Sequence, residues 1–311
     1  MAKKRDDNKS KFPSKRNELN DLISSKWLYF TNTLWETTYP PDVTHKIRKS
    51  HGAMKPPEVM RDLILFFSKK GELILDPFAG VGGTLLGAEL AQRKALGFEL
   101  NPSWIKIYED IKTNFAVKNG ELVNLSLLQG EKKGGSKKQK KMFPDTDSGI
   151  LPLTAKMEHG DCLQLIKTLD DNSVHAVICD PPYGIGHKAT GFKNETNFSM
   201  YNLDDSRDFG NAASNADFFN LMKQLAHEVF RVLKPKRYFV VMVGDRLQNS
   251  EYFPLGINLA NELRKKGFQL KGIKIWWNKT TLRPLKPYGI NRSFVSNITH
   301  HNIIILKRIS G

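Results

Sequence analysis

Cysteine is scarce: Cys162 and Cys179 are the two in 311 residues, far apart in sequence and without metal-ligand spacing. That pattern excludes a disulfide framework and a cysteine metal centre, and the expected setting is a reducing one, the cytoplasm. No apolar run approaches the ~20 residues that a membrane helix needs, so no membrane partner is expected. Met1-Ala2-Lys3-Lys4-Arg5 is not followed by an apolar core, which argues against a secretory signal. Internal repeats are missing. Acidic residues stop at Glu262, while basic ones continue through Arg264, Lys274, Lys279, Arg283, Lys286 and Arg292 to Lys307 and Arg308.

What is present is positive charge, 48 Lys plus Arg against 32 Asp plus Glu, a net +16. That balance favours a polyanionic partner, with a solvated basic surface or a disordered tail as the other reading. Trp276, Trp277, Tyr288 and Phe294 are interleaved with the basic C-terminal residues. Cations beside aromatics suit phosphate contacts and base stacking.

The length allows one large domain or two small ones. Residues 1–50 read as a polar arm and an irregular segment, and 51–311 as the main domain. Apolar spacing makes Pro57–Phe67 a helix. From Leu73 onward strands and helices alternate, which predicts an α/β fold with a largely parallel sheet covered on both faces. The expected strands are Leu73–Leu75, Ala95–Phe98, Ala155–Glu158, Val174–Cys179, Tyr238–Val243, Phe268–Trp277 and Asn302–Leu306. The pattern lapses at about 117–152, where Gly130 to Lys141 carries six lysines and no apolar residue. This insertion is expected to be a flexible loop that either drapes onto a polyanion or serves solubility.

Asp180-Pro181-Pro182-Tyr183 follows the apolar run Val174-His175-Ala176-Val177-Ile178-Cys179. Proline fixes φ and restricts the residue before it, so the segment is stiff and leaves the ladder at the sheet rim. A flat ring with an exocyclic amine could stack on Tyr183. It would give its N–H bonds to the Asp180 carboxylate and the Pro181 carbonyl. Accepting those bonds favours the pyramidal nitrogen that can attack an electrophile. Taken alone, the four residues also read as a plain strand-to-loop turn.

A second motif changes the balance. Glu72-Leu73-Ile74-Leu75 runs into Asp76-Pro77-Phe78-Ala79-Gly80-Val81-Gly82-Gly83-Thr84 and then a helix. Strand, glycine-rich turn and helix form the geometry of a nucleotide-type cofactor site. The next strand, Ala95-Leu96-Gly97-Phe98, ends in Glu99, placed to hold ribose hydroxyls and about the ~20 residues on that such a unit requires.

Together these residues resemble the S-adenosylmethionine-dependent DNA amino-methyltransferases, which act on adenine N6 or cytosine N4. Lys55-Pro56-Pro57-Glu58-Val59-Met60 is similar to the family's cofactor-binding helix. His159-Gly160-Asp161-Cys162-Leu163 is similar to its adenine-ring contact, and His300 to Lys307 to its last strand. The resemblance covers roughly 54–100 and 158–308. It implies a doubly wound, mostly parallel, seven-stranded Rossmann-like methyltransferase sheet with an antiparallel last strand. It implies S-adenosyl-L-methionine as cofactor and no metal. Lys55, Pro56, Asp76, Pro77, Phe78, Ala79 and Gly80 would contact the cofactor, with Gly82, Gly83 and Thr84 behind them. Glu99 would hold the ribose, with Leu100, Asp161 and Cys162 beside the adenine ring. Asp161 also suits a plain helix N-cap. Asp180, Pro181, Pro182 and Tyr183 would be catalytic. An aspartate at the first position leans toward adenine.

DNA is the partner that this resemblance implies, with the target base flipped out. The segment at 187–211, with Phe192, Phe198, Tyr201 and Asn202, reads either as a loop closing over the base or as an ordinary crossover. Lys279, Arg283, Asn291 and Arg292 are the candidate DNA contacts. A cognate restriction or specificity subunit and a homodimer stay open as partners. A tRNA guanine-N2 methylase and a non-catalytic nucleic-acid-binding subunit are the competing readings.

Overall fold

The computed structural model describes residues 13–129, 149–183, 205–248, 251–280, 285 and 290–309. The chain opens with helix α1 (Ser24–Phe30), strand β1 (Leu34–Thr37), the single turn α2 (His45–Arg48) and helix α3 (Pro57–Phe67). Strand β2 (Leu73–Asp76), helix α4 (Gly83–Leu90), strand β3 (Lys94–Glu99) and helix α5 (Pro102–Asn114) follow. Next come β4 (Phe115–Lys118), β5 (Glu121–Asn124), α6 (Leu125–Gln129) and β6 (Ile150–Pro152), then β7 (Lys156–His159), α7 (Cys162–Leu165) and β8 (Val174–Cys179). The last third holds α8 (Asn215–Val232), β9 (Leu233–Val243), the hairpin β10 (Arg246–Gln248) and β11 (Glu251–Phe253), α9 (Leu255–Arg264), β12 (Phe268–Asn278) and β13 (His301–Arg308).

The main sheet has eight strands in the order β1-β12-β13-β9-β8-β2-β3-β7. β13 runs antiparallel to both its neighbours, and the other pairings are parallel. All seven expected strands are present. The eighth, β1, comes from the segment read as irregular and pairs in parallel with β12. Four residues are too few to show a period of two, and the strand is held by partners far along the chain. Trp276 Nε1 donates to Thr37 Oγ1 at 2.9 Å, and Lys274 Nζ donates to the Phe30 carbonyl at 2.6 Å. Lys274 is therefore no phosphate ligand: it is buried, and burial pushes it down to about 8.

Strand side chains alternate between two cores. Ile178, Val240 and Met242 pack with Leu63 of α3 and Leu85 of α4. Val177, Phe239 and Val241 face the other way, against Met222 of α8 and Leu259 of α9. Burial on both faces explains why β8 and β9 read as continuous apolar runs. The ends of the 117–152 insertion form strands: β4 pairs with β5 and β6 in a small antiparallel sheet. Its lysine run lies outside the described residues.

The parallel order reverses at β2, with β3 on one side and β8 on the other. Ligands bind at such a switch point, outside the carboxyl ends of the strands. Asp76 ends β2, Glu99 ends β3 and Asp180 follows β8, so three separate stretches of sequence meet there.

Candidate active site

A cleft of about 1170 Å³ opens at that rim. One half is the turn after β2. Asp76 is buried, and its carboxylate accepts from Phe78 N–H at 2.9 Å. Gly82 is the N-cap of α4, at φ 82°, and a Cβ there would lie 2.2 Å from Tyr108 Cδ2. A side chain is thus excluded by both backbone and space. Gly83 and Thr84 follow, on the cleft wall. Glu99 Oε2 accepts from Gly80 N–H at 2.7 Å, and Oε1 from Asn101 N–H at 2.8 Å. The carboxylate placed for a ribose also ties β3 to the glycine-rich turn. Burial pushes Asp76 and Glu99 up to about 7, against the hydrogen bonds that favour their charged forms.

Pro77, Phe78 and Ala79 line the same half, with Leu100, Asp161 and Cys162 opposite. Asp161 is the N-cap of α7, accepting from Leu163 N–H at 2.9 Å while still lining the cleft. Cys162 and Cys179 are buried, and burial pushes their thiols up.

The other half is the rim after β8, where Asp180, Pro181, Pro182 and Tyr183 all line the cleft. Lys55 Nζ pairs with Asp180 Oδ2, while Oδ1 has no hydrogen-bond partner among the described residues. Pro56, beside Lys55, also lines the wall. Burial raises the Asp180 carboxyl and the Lys55 charge opposes that rise. Arg246 donates to the Tyr183 carbonyl and to Asn215 Oδ1, and lies 5.2 Å from the centre of the Phe253 ring. It fixes the end of the tetrad on the hairpin after β9.

His51, Asp245 and Arg246 went unread in the sequence, whereas Arg48 belongs to the stretch Thr44-His45-Lys46-Ile47-Arg48, which reads as able to touch substrate or cofactor. His51 stacks edge-on to Trp104 at 5.1 Å, and its Nε2 lies 3.1 Å from where a Cβ on Gly80 would be. Burial, Lys55 and Arg48 push it down to about 4. Arg48 is buried and held by Asp42 Oδ2 at 2.5 Å and Thr44 Oγ1 at 2.8 Å. Asp245 accepts from Tyr252 Oη at 2.5 Å and Gly256 N–H at 2.9 Å; despite burial, hydrogen bonds from His300, Tyr252, Gly256 and Asn302 hold it at about 2. Asp245-Arg246 had one legible signal: two charges at the end of a buried strand that pairs with β8.

Of the candidate DNA contacts, Lys279 lies between Asn278 and Thr280, which line the cleft. Lys279 follows β12, pairs with Glu36 and sits 5.0 Å from the Trp277 ring centre. Asn291 is exposed with φ 63°, and Arg292 is exposed beside it. Arg283 and the aromatic residues of the 187–204 stretch lie outside the described residues. Lys307 and Arg308 pair with Gln269 and Phe268, at the opposite end of β12 from the cleft. The basic C-terminal run is therefore split between two rims. Among the described residues no group of His, Cys, Asp and Glu side chains is arranged to hold a metal, and no helix is long and apolar enough to cross a membrane.

A family model described as DNA methylase matches residues 1–110 and 174–307, and so brackets both halves of the cleft. The type II methyltransferase M.HindIII of Haemophilus influenzae is 41% identical over 59 residues, 19% of each chain. A probable tRNA (guanine(10)-N2)-dimethyltransferase of Methanothermococcus thermolithotrophicus is 28% identical over 123 residues, 40% of this chain and 57% of that one. The chain thus spans less than two thirds of these curated relatives. Among solved structures, TrmN from Thermus thermophilus is 12% identical, covering 81% of this chain and 48% of that one with a TM-score of 0.42. Because the family model extends over well more than half of its residues, the chain belongs to the N6/N4 family of DNA methylases.

Proposed function

We propose that the protein transfers the methyl group of S-adenosyl-L-methionine to an exocyclic amine of a base in DNA, adenine N6 before cytosine N4. The donor, when bound, supplies an electrophilic methyl on a sulfonium. The cleft suits such a cation, since the Asp76 and Glu99 carboxyls stand in its donor half. Backbone at Gly80 and Gly83 allows close approach, and Glu99 keeps acceptor capacity toward hydroxyls. Asp161 and Cys162, on the cleft wall, are assigned to the adenine ring.

The single observation that carries the reading is Asp180. Its carboxylate has about four acceptor positions, and one is used among the described residues. It stands in the same cleft as the glycine-rich turn. A flipped base stacked on Tyr183 would donate an amine N–H to that carboxylate. Asp180 then orients the nitrogen and stabilises the positive charge that grows on it during attack. The proton leaves afterwards, to Asp180 or to water. The aspartate at the head of the tetrad is the feature that favours adenine. Lys279, Arg283, Asn291 and Arg292 are assigned to the DNA backbone or base edges. A specificity subunit, a paired nuclease or a second copy of the chain would add recognition.

Labelled methyl transfer to duplex DNA and to bulk tRNA, followed by nucleoside analysis, tests this. Label in N6-methyladenine is expected. Label in N4-methylcytosine would correct the base, and label confined to tRNA would overturn the choice of DNA. Asp180→Ala should retain DNA binding and lose on the order of 10²–10³ in rate, as for a removed transition-state contact.

A further inference from the structure

We propose that Lys55 is a positioning residue for methyl transfer, holding the Asp180 carboxylate in place and in its charged, hydrogen-bond-accepting form. The inference rests on the assignment of Asp180 as acceptor for the target amine. Lys55 reaches Asp180 across 125 positions of sequence. Its ammonium also lies 3.4 Å from the Ala53 carbonyl, and its side chain is only 10% exposed. An ion pair so enclosed is screened far less than one at the surface.

The lysine is itself anchored. Arg48 Nη1 donates to the Lys55 carbonyl at 3.2 Å, and Arg48 is fixed by Asp42 and Thr44. The stretch 42–55 therefore forms a brace that ends in one ammonium on one carboxylate. Two other groups bear on Asp180: Asp76 at the end of β2 and the buried Cys179 thiol before it. Neither supplies positive charge, and burial of Asp180 also disfavours its charged form. Among the described residues Lys55 is the cation that opposes them. A protonated Asp180 would present an O–H donor toward an amine that also needs to donate.

The lysine engages Oδ2, while Oδ1 is buried and has no hydrogen-bond partner among the described residues, so the carboxylate keeps unused acceptor capacity. Lys55 thus acts through Asp180. The rival role for this lysine is direct contact with the cofactor's carboxylate, because it lines the same cleft.

The full chain is compared with Lys55→Met and Lys55→Arg. Aspartate carboxyl carbons are labelled with ¹³C, and Asp180→Asn assigns the Asp180 resonance. In Lys55→Met its titration midpoint should move up by about one unit or more, a tenfold or larger rise in proton affinity. Lys55→Arg should restore most of the difference. Single-turnover methyl transfer to duplex DNA at saturating S-adenosylmethionine should drop on the order of 10²-fold at neutral pH in Lys55→Met and recover as pH rises. Cofactor affinity by calorimetry should stay near that of the unaltered protein, which also certifies folding. An unmoved midpoint, an equal rate loss at every pH, or lost cofactor affinity with normal rates at saturation would each overturn the assignment. If the unaltered protein methylates no DNA, the functional reading fails, while the carbon titration still judges the role of Lys55.

Discussion

Asp76 and Glu99 terminate adjacent parallel strands, with Asp76 paired to Gly97 two residues before Glu99, and burial lifts both carboxyls to about 7. Two acids poised near neutrality at one strand rim respond to any cation that enters.

Uptake of S-adenosylmethionine should therefore release protons. The cationic donor favours the charged carboxylates, so affinity should rise between about pH 6 and pH 8. Calorimetry at about pH 6.5 in two buffers of different ionisation heat reads the release directly. Proton uptake, or equal heats in both buffers, would contradict the arrangement.

The same two groups set a stability trend for the protein without cofactor. Unfolded Asp and Glu titrate near about 3.9 and 4.3, below the folded values. Their contribution is full below about pH 4 and is lost as pH climbs through about 7. Asp76→Asn should flatten the fall in unfolding midpoint across that window, because an amide keeps the acceptor for Phe78 N–H without titrating. Parallel midpoint-against-pH curves for the variant and the unaltered protein would refute the Asp76 share.

Gly82 and Gly120 make a matched pair for the glycine-rich turn. Both have positive φ, 82° and 81°, but an added Cβ meets Tyr108 at 2.2 Å at Gly82 and nothing within 4 Å at Gly120. Gly120→Ala should cost the backbone part alone, about 1 kcal/mol. Gly82→Ala should add an overpacking cost of about 1–3 kcal/mol and weaken cofactor binding. Denaturant unfolding of the two variants checks the difference, and equal losses would show that Tyr108 gives way freely.

Binding to duplex DNA should weaken steeply with salt. Lys279→Ala and Arg292→Ala should each reduce the slope of log affinity against log salt by about 0.9, the share of one neutralised phosphate. Arg308→Ala should leave the slope alone, since its guanidinium bonds to Asn172 Oδ1 at 2.6 Å at the far end of the sheet. Filter binding over a salt series separates them. A slope change for Arg308 and none for Lys279 would move the DNA to the opposite rim.

The parallel core was legible because strands buried on both faces are written as apolar runs, as in Val174–Cys179. The cleft's two motifs were legible because each is contiguous and each bends the chain at a strand end. Elements that rely on distant partners left no local trace. β1 is four residues long and takes its stability from β12, and the hairpin after β9 is held by Arg246 on Tyr183. Lys274 shows the limit of counting charge. It reads as one more cation in a basic run, yet it serves the carbonyl of Phe30, 244 positions away. Lys55 lines the cleft that its motif shares with the glycine-rich turn, but its pairing with Asp180 needed the three-dimensional packing of the 42–55 stretch.

The seam between β1 and β12 divides responsibilities within the molecule. Thr280 Oγ1 donates to the Tyr39 carbonyl at 2.9 Å, so one wall of the cleft is stitched to an early segment, while another hangs on β2 and β3. Thr280→Val should therefore loosen the join between the early segment and the end of β12 while leaving Asp76 and Glu99, at the ends of β2 and β3, where they are.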